Sequence, residues 1–251
     1  MSALAATVVD VLLSVVPHRH TCGNFPDGPV RACLACASSQ LTRPGPGSCP
    51  VCAQRLAHSE LCRNELCRNP GRRISRIHAI GYQTGPLRRA INSYKYRGDG
   101  TWSAVFGRLL LAWLEENMAA DPPGLIVVNP TFIGPAGLEF GHTEAVLAAA
   151  ARADGCSRWP FDTASPAAII KTRATLKSAD GQAWSKRATG QELRQALHVP
   201  KPGRIAGKFV LVYDDVCATG TQLDVVAGCL LDHGDAARVE AVVLARAPWR
   251  R

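Results

Sequence analysis

The apolar residues of this chain fall into short runs that alternate with amphipathic segments of helical period. Residues 125–128 and 209–213 are hydrophobic throughout, and residues 239–245 are mostly so. Runs of this kind are typical of strands that are buried on both faces of a parallel sheet. The pattern therefore predicts an α/β fold, in which a mostly parallel sheet is flanked by helices.

The segments between these runs predict the remaining strands and the helices. Alternating residues predict a strand over 74–82, and Ile169 and Ile170 begin a shorter one. Helical periodicity predicts helices at 87–95, 103–119, 143–153 and 178–197, and another that begins at Leu223.

A loop of small residues connects the run 209–213 to the last predicted helix. Asp214 and Asp215 come directly after the run, and residues 218–221 (Ala-Thr-Gly-Thr) then open the helix. Such a loop directs backbone N–H groups and the positive end of the helix dipole toward an anion. Adjacent carboxylates can hold sugar hydroxyls or a magnesium ion. The ligand that this stretch predicts carries a phosphate and a polyol.

Composition indicates one α/β domain and a small additional module. The chain has 251 residues, of which 47% are apolar and 20% charged, enough to bury a sizeable core. Its net charge of +9 favours anionic partners such as nucleotides, nucleic acid or diphosphates, although a solvated basic surface would give the same charge.

Ten cysteines would suit a disulfide scaffold in a small secreted protein, but their spacing indicates metal ligation. Seven of them lie between Cys22 and Cys67, mostly in close pairs. A two-residue spacing presents both thiolates of a pair to one zinc ion, and free thiolates imply a reducing, cytoplasmic compartment. We therefore expect structural zinc, one or two ions, in a cytoplasmic protein.

Two ligand groupings are open. In the first, a single site is formed by Cys33, Cys36, Cys49 and Cys52. In the second, one site comprises Cys22, Cys33, Cys36 and His20, and another comprises Cys49, Cys52, Cys62 and Cys67. The second grouping leaves no thiol of the cluster unused, which favours it slightly.

The ends of the cysteine-rich region define a module. Residues 3–16 are mostly apolar, but Asp10 interrupts them and no basic residue precedes them. This pattern predicts a short amphipathic helix rather than a secretory signal or a membrane span. Pro70-Gly71 marks the other boundary. We expect an N-terminal helix and zinc module over 1–75 and an α/β domain over 76–251.

A basic stretch follows the cysteines. Nine Lys or Arg residues and a single acid lie between Arg63 and Arg97. Aromatic residues interleaved with cations could stack on bases while pairing with phosphates, or simply end a helix with packed tyrosines and solvated charges. The candidate nucleic-acid contacts are Arg72, Arg73, Lys95 and Arg97.

Residues 208–224 resemble the phosphoribosyl diphosphate (PRPP) loop of type I phosphoribosyltransferases. That pattern is an apolar strand, two acids, an apolar residue, Thr-Thr-Gly and a closing threonine. A cysteine-rich finger, a Gly-Tyr-x-Thr-Gly-Pro segment at 81–86 and Tyr-Lys-Tyr-Arg-Gly-Asp at 94–99 complete a resemblance to the ComF family. Those proteins are phosphoribosyltransferase-like and are linked to DNA uptake in competent bacteria.

The resemblance implies a type I phosphoribosyltransferase fold, with PRPP and magnesium as ligands and Asp214 and Asp215 as catalytic residues. A basic loop with Lys171, Arg173 and Lys177 would close over the site, or is an ordinary solvated loop. PRPP-binding residues would be Asn129, Lys171, Asp214, Asp215, Val216, Cys217, Ala218, Thr219, Gly220 and Thr221. Single-stranded DNA and other DNA-uptake proteins are the expected partners, without membrane insertion.

The sequence departs from the family pattern at three places. Ala218 and Gln222 replace threonines, and Glu139 stands where the family has an arginine that helps to hold an anion. The replacement at Glu139 affects the diphosphate side of the site, whereas Ala218 and Gln222 lie in the loop itself. Three functions are open. One is a transferase that acts on PRPP and an unidentified acceptor. Another is a non-catalytic, nucleic-acid-associated DNA-uptake factor that keeps the loop for binding or regulation. A third is a zinc-ribbon interaction module on an inactive fold.

Overall fold

Four parallel strands form the sheet that carries the site. The computed structural model describes residues 41–56, 61–97, 102–131, 141–175 and 183–249. The strands are β1 Arg76–Tyr82, β2 Leu125–Val128, β3 Ile170–Lys171, β4 Leu197–His198, β5 Phe209–Cys217 and β6 Arg238–Arg246. The helices are α1 Glu65–Arg68, α2 Gly85–Arg97, α3 Trp102–Asn117, α4 His142–Ala153, α5 Ala183–Ala196 and α6 Thr221–Gly234. The predicted N-terminal helix lies outside the described residues.

The strand order in the sheet is β1-β6-β5-β2, with every pair parallel. Strands β3 and β4 form a separate antiparallel pair. All residues of β2 are buried, as are Val210 to Tyr213 of β5, which explains their unbroken apolar sequence. The predicted α/β fold with a mostly parallel sheet is therefore confirmed.

Each face of the sheet covers its own hydrophobic core. One core contains Val212 of β5 and Val226 of α6, and it also includes Ala53 and Leu66 from the cysteine-rich region. The other contains Leu211 of β5 with residues of α2, α3 and α4. The described part of the cysteine-rich region thus packs directly on the sheet.

The N-terminal segment also covers the free edge of β1. The Ile77 amide donates to the Val51 carbonyl at 2.7 Å, and the Tyr82 amide donates to the Thr42 carbonyl at 2.8 Å. An exposed edge strand would otherwise present unpaired backbone groups.

The structure corrects one element boundary at the site. The sequence pattern predicts that Asp214 and Asp215 follow the strand, but β5 continues through Cys217. The reason is that β6 is long enough to pair with the whole of β5, with Asp214 opposite Val243 and Cys217 opposite Arg246. The two acids therefore lie within a hydrogen-bonded strand.

Candidate phosphate and polyol site

The site lies where the direction of winding of the sheet reverses. From β2 the chain passes through α4 to Phe161, which bridges Ile126 on the side of β2 away from β5. From β5 it passes through α6 to β6, on the other side. In open α/β sheets, ligands bind at the carboxyl ends of the strands at such a switch point. Here those ends carry Asn129, after β2, and Asp214 in β5.

The two strand ends are joined by hydrogen bonds. Asn129 Nδ2 donates to Asp214 Oδ2 at 2.9 Å, and the Asp215 amide donates to Asp214 Oδ1 at 2.8 Å. Gln222 Nε2 from α6 donates to Asn129 Oδ1 at 3.4 Å. Both oxygens of Asp214 are thus oriented before any ligand arrives.

Burial and the charge of Asp215 raise the pKa of Asp214 to about 7. The Asp215 amide, the Asn129 side chain and the positive charge of Lys95 act in the opposite direction but do not cancel this rise. Asp214 therefore changes charge near neutral pH. Perturbed groups of this kind concentrate at functional sites.

Lys95 neutralises the second acid. Its Nζ lies 2.6 Å from Asp215 Oδ2, with 27% of the lysine side chain and 14% of the aspartate side chain exposed. Lys95 lies near the end of α2, in the Tyr-Lys-Tyr-Arg-Gly-Asp segment that the sequence assigned to nucleic acid. The structure places its ammonium group against Asp215, and contact of Lys95 with nucleic acid stays a prediction.

The loop after β5 is shaped by Gly220, which caps α6 with φ of +86°. A Cβ at this position would lie 2.7 Å from Ile77 Cδ1 and 2.7 Å from Leu66 Cδ2, so another residue would strain the backbone and displace these two side chains. Gly220 has no side chain to cap α6, and the Thr221 amide makes a long hydrogen bond of 3.4 Å to Thr219 Oγ1. The Thr219 and Thr221 hydroxyl oxygens lie 3.1 Å apart at the same end of the helix. Backbone amides, two hydroxyls and the helix dipole together suit a phosphate.

A second site is formed by four cysteines. The Sγ atoms of Cys49, Cys52, Cys62 and Cys67 all lie within 4.8 Å of one another. Cys49 and Cys67 are 3.7 Å apart, as are Cys52 and Cys62. A zinc tetrahedron with bonds of about 2.3 Å has sulfur–sulfur edges of about 3.8 Å. The spacing of the four thiols therefore suits a metal such as zinc. It agrees with the second grouping, which assigns these four cysteines to one site.

The environment of the thiols also favours a metal. Burial opposes ionisation of Cys52, yet hydrogen bonds from the Gln54 backbone and the Asn64 side chain, with the charge of Arg246, lower its pKa to about 7. Burial raises the pKa of Cys62 to about 11 and that of Cys67 further. A divalent ion would favour the thiolate form of all four cysteines and would thereby offset these differences in pKa.

Asn64 and Arg246 connect the cysteine cluster to the phosphate-type loop. Asn64 caps α1 by accepting from the Leu66 amide at 3.1 Å, and its Nδ2 donates to the Thr219 carbonyl at 2.9 Å. Arg246, which is fully buried, donates from Nε to the Cys52 carbonyl at 2.8 Å. Its Nη1 donates to the carbonyls of Cys217 and Ala218.

Two of the other predicted nucleic-acid residues, Arg72 and Arg73, have different bonding partners. Arg72 donates to the backbone carbonyls of Ile74 and Cys67, and Arg73 pairs with Asp232. Lys171 lies in β3, which pairs with β4 rather than with the parallel sheet. Nucleic-acid binding by these residues stays a prediction, as does PRPP contact by Lys171.

Several predicted residues fall outside the described part of the chain. These are Cys22, Cys33, Cys36, His20, Glu139 and Lys177, together with the side chain of Arg97. One half of the second zinc grouping therefore remains a prediction.

Sequence reasoning missed the roles of Asn64 and Arg246. Arg246 lies 194 residues from Cys52 and 29 from Cys217, so only the folded sheet brings it to both. Its signal in the sequence was a lone arginine that directly follows the apolar run of the closing strand. Asn64 carried a weaker signal, as an asparagine before a short helix.

Within the described residues, no helix is both long enough and apolar enough to cross a bilayer. No protein-family model matches the chain.

Two curated proteins are similar to the chain over most of their length. Both are called DNA utilization protein YhgH. The protein from Escherichia coli (strain K12) is 27% identical over 206 residues, which cover 82% of this chain and 86% of the relative. The protein from Shigella flexneri is 27% identical over 215 residues, covering 85% and 89%. The chain is thus a distant relative, along most of its sequence, of proteins named for the utilization of DNA.

Proposed function

We propose that this chain is a PRPP-binding protein of the ComF type, with a type I phosphoribosyltransferase fold, that takes part in DNA uptake. The observation that carries the proposal is the joining of Asp214 to Asn129, 2.9 Å away, beside the uncapped start of α6. This arrangement puts two carboxylates and a phosphate-type loop at one switch point. The names of the two relatives support the link to DNA.

In this proposal the 5-phosphate of PRPP binds the loop. The amides of residues 218–221 and the hydroxyls of Thr219 and Thr221 donate to its oxygens, and the dipole of the 14-residue helix α6 adds favourable charge. The ribose hydroxyls donate to Asp214 and Asp215. Binding at Asp215 competes with Lys95, so the ligand exchanges one ion pair for hydroxyl contacts.

Magnesium fits the same acids. Its preferred ligands are carboxylate oxygens and water, and the two half-buried acids offer oxygens at the open end of β5. When bound with PRPP, the ion would neutralise charge on the diphosphate.

The chain's own residues would then assist phosphoribosyl transfer. As the bond from C1 to the diphosphate oxygen breaks, the electron pair leaves with diphosphate and positive charge grows on the ribose. Asp214 and Asp215 stabilise this charge electrostatically from fixed positions. A nitrogen of the acceptor forms the new bond to C1. We assign no general base to this step, because an acceptor that arrives as an anion needs none.

Calorimetry with PRPP and magnesium tests the proposal. We expect binding by the wild type and at least about tenfold weaker binding by Asp214→Asn/Asp215→Asn, because two charge-assisted contacts are lost. Asp232→Asn is the matched control, since Asp232 is an exposed acid paired with Arg73. The proposal fails if the wild type does not bind PRPP, or if the double variant binds as the wild type does.

A non-catalytic DNA-uptake factor is the second candidate, and the names of the relatives favour it. The net charge of +9 would attract the phosphate backbone. We expect the affinity for single-stranded DNA to fall with salt, and neutralising Arg72, Arg73, Lys95 and Arg97 together to reduce that dependence. Absent binding, or an unchanged salt slope in the variant, rejects this candidate.

A further inference from the structure

Arg246 is a buried cation without a carboxylate partner in the described part of the chain. Its side chain is fully buried at the end of β6, and the contacts that its Nε and Nη1 make are with the backbone carbonyls of Cys52, Cys217 and Ala218. Its Nη2 has no hydrogen-bond partner there. A buried charge that lacks an opposite charge is costly, so the position requires some compensation.

The cysteine cluster can supply that compensation. Four thiolates around a divalent ion carry a net negative charge. Arg246 lies next to this cluster, because its Nε donates at 2.8 Å to the backbone carbonyl of Cys52, one of the four cysteines. With the metal bound, the buried guanidinium faces an anionic centre in a region of low dielectric.

The same guanidinium fixes the entrance to the phosphate-type loop. Nη1 reaches the carbonyls of two consecutive residues, Cys217 and Ala218. Asn64, between the cluster ligands Cys62 and Cys67, holds the next carbonyl, that of Thr219, at 2.9 Å. Three successive carbonyls are thus held from the metal side. Because carbonyls and amides belong to the same peptide planes, fixing the former orients the latter toward the ligand.

We propose that Arg246 and Asn64 are positioning residues that couple metal occupancy of the cysteine cluster to the shape of loop 217–221. The metal-bound cluster holds Arg246 and α1, and these hold the loop open for an anion. Coupling of this kind is reciprocal, so a ligand in the loop also tightens metal binding. The proposal rests on the proposed function only where a phosphoribosyl ligand is used as the probe.

Hydrogen exchange tests the coupling without any ligand. We compare the full chain loaded with zinc and after removal of zinc by a chelator. Exchange at the hydrogen-bonded amides that flank the loop, at Cys217 in the end of β5 and at Asp224, which donates to the Gly220 carbonyl, should rise at least about fivefold when the metal leaves, while residues 125–128 of the buried strand β2 keep their protection. Equal exchange at the loop in both forms, or loss of protection throughout the chain, overturns the proposal.

A single substitution separates positioning from simple stability. Asn64→Ser keeps a good helix cap for α1 but is too short to reach the Thr219 carbonyl. In zinc-loaded protein it should raise exchange at the loop, and it should shrink the change that zinc removal causes. Asn117→Ser is the control, because Asn117 is an exposed asparagine that also donates to a backbone carbonyl, that of Trp113. If both variants behave alike, Asn64 has no positioning role.

Ribose 5-phosphate provides the reciprocal measurement, since the diphosphate of PRPP would itself bind zinc. Zinc affinity, read by competition with a coloured chelator, should increase at least about fivefold when ribose 5-phosphate is saturating, and less in Asn64→Ser. Ligand binding without any change in zinc affinity contradicts the coupling. If the zinc-loaded loop is protected but neither ribose 5-phosphate nor PRPP binds, the proposed function fails and the coupling stands on hydrogen exchange alone.

Discussion

Two adjacent carboxylates in β5 experience different surroundings although they share one strand. Asp215 has the ammonium group of Lys95 at 2.6 Å, whereas Asp214 has the neutral amide of Asn129 at 2.9 Å. Burial and the neighbouring charge therefore act on Asp214 without a close cation to offset them. At the residue scale, the site combines an acid that forms an ion pair with Lys95 and one that titrates near neutrality.

The pH dependence of ligand binding should report Asp214. Affinity for magnesium and PRPP should increase as the pH rises through about 7, because the ionised carboxylate accepts the ribose hydroxyls and binds the cation. Lys95→Gln should move this increase to higher pH, since the lysine charge lowers the pKa of Asp214. Calorimetry across pH measures both, and Asp214→Asn controls for protonation of the ligand's own phosphates. An identical pH profile in Asp214→Asn would contradict this assignment.

Stability without ligand should vary in the opposite sense. The raised pKa means that folded Asp214 holds its proton more tightly than the unfolded chain does. This contribution is complete below the ordinary pKa of an aspartate and is lost as the pH rises to about 7. In urea unfolding, the free energy of unfolding of the wild type, measured relative to that of Asp214→Asn, should fall as the pH rises over that window. A constant difference would show that Asp214 has no raised pKa.

The backbone conformation and close packing of Gly220 can be tested by substitution. Gly220→Ala should cost about 1–3 kcal/mol of stability and weaken anion binding, because φ is +86° and the new Cβ would press on Ile77 and Leu66. Gly207→Ala is the matched control, since its φ is +69° with open space around the Cβ. It should lose some stability but keep ligand affinity. Equal effects of both variants on ligand affinity would reject the close fit at Gly220.

At the scale of elements, the site depends on where β2 and β5 end. Strand β2 stops at Val128, opposite Tyr213, whereas β5 continues to Cys217 along β6. This offset leaves Asp214 and Asp215 beyond the last residue of β2. Helix α1, only four residues long, closes the opposite side through Asn64 and Leu66.

Removal of one cluster thiol should release the metal. Cys62→Ser should lose the zinc that Cys49, Cys52 and Cys67 share with it, because hydroxyl is a poor ligand for zinc beside thiolates. Cys156→Ser should keep the wild-type zinc content, since Cys156 is exposed and does not belong to the cluster. Elemental analysis of both purified variants makes the comparison. Wild-type zinc content in Cys62→Ser would show that these four residues do not form the site.

Sequence patterns were most informative where a structure depends on neighbours along the chain. Strand β2 was predicted at its observed bounds, and the acids and the loop were predicted as one stretch, whereas Asn129, 85 residues from Asp214, was assigned through the family resemblance. The pattern could not reveal that β5 continues through the acids, because that depends on the length of β6. It also could not assign Lys95 to Asp215 or Arg246 to Cys52, since the fold alone joins residues so far apart.

At the scale of the whole molecule, the cysteine-rich region and the α/β domain share a core. Ala53, Leu66 and Ile74 pack in the same cluster as Val212 and Val226, and the 42–51 segment covers the edge of β1. The boundary predicted at residue 75 therefore marks a change in the sequence pattern, whereas the hydrophobic core contains residues from both sides of it.

A truncated chain tests this shared core. Residues 76–251 alone should unfold at a markedly lower temperature than the full chain, because deletion exposes Ile77 and Gly220 and removes the partners of the β1 edge. Differential scanning calorimetry compares the two. A fragment that unfolds at the full chain's temperature would show that the α/β domain is self-sufficient.

The central claim is that the loop at the start of α6 and the acids of β5 hold a phosphoribosyl ligand. Amide NMR of the zinc-loaded full chain tests it most directly, since each loop residue reports separately. Addition of PRPP and magnesium should shift the amide signals of Ala218, Thr219, Gly220 and Thr221, with Asn129 and Asp215, and Asp214→Asn/Asp215→Asn should weaken the response. Shifts confined to other parts of the chain, or no shifts at saturating PRPP, would contradict the account.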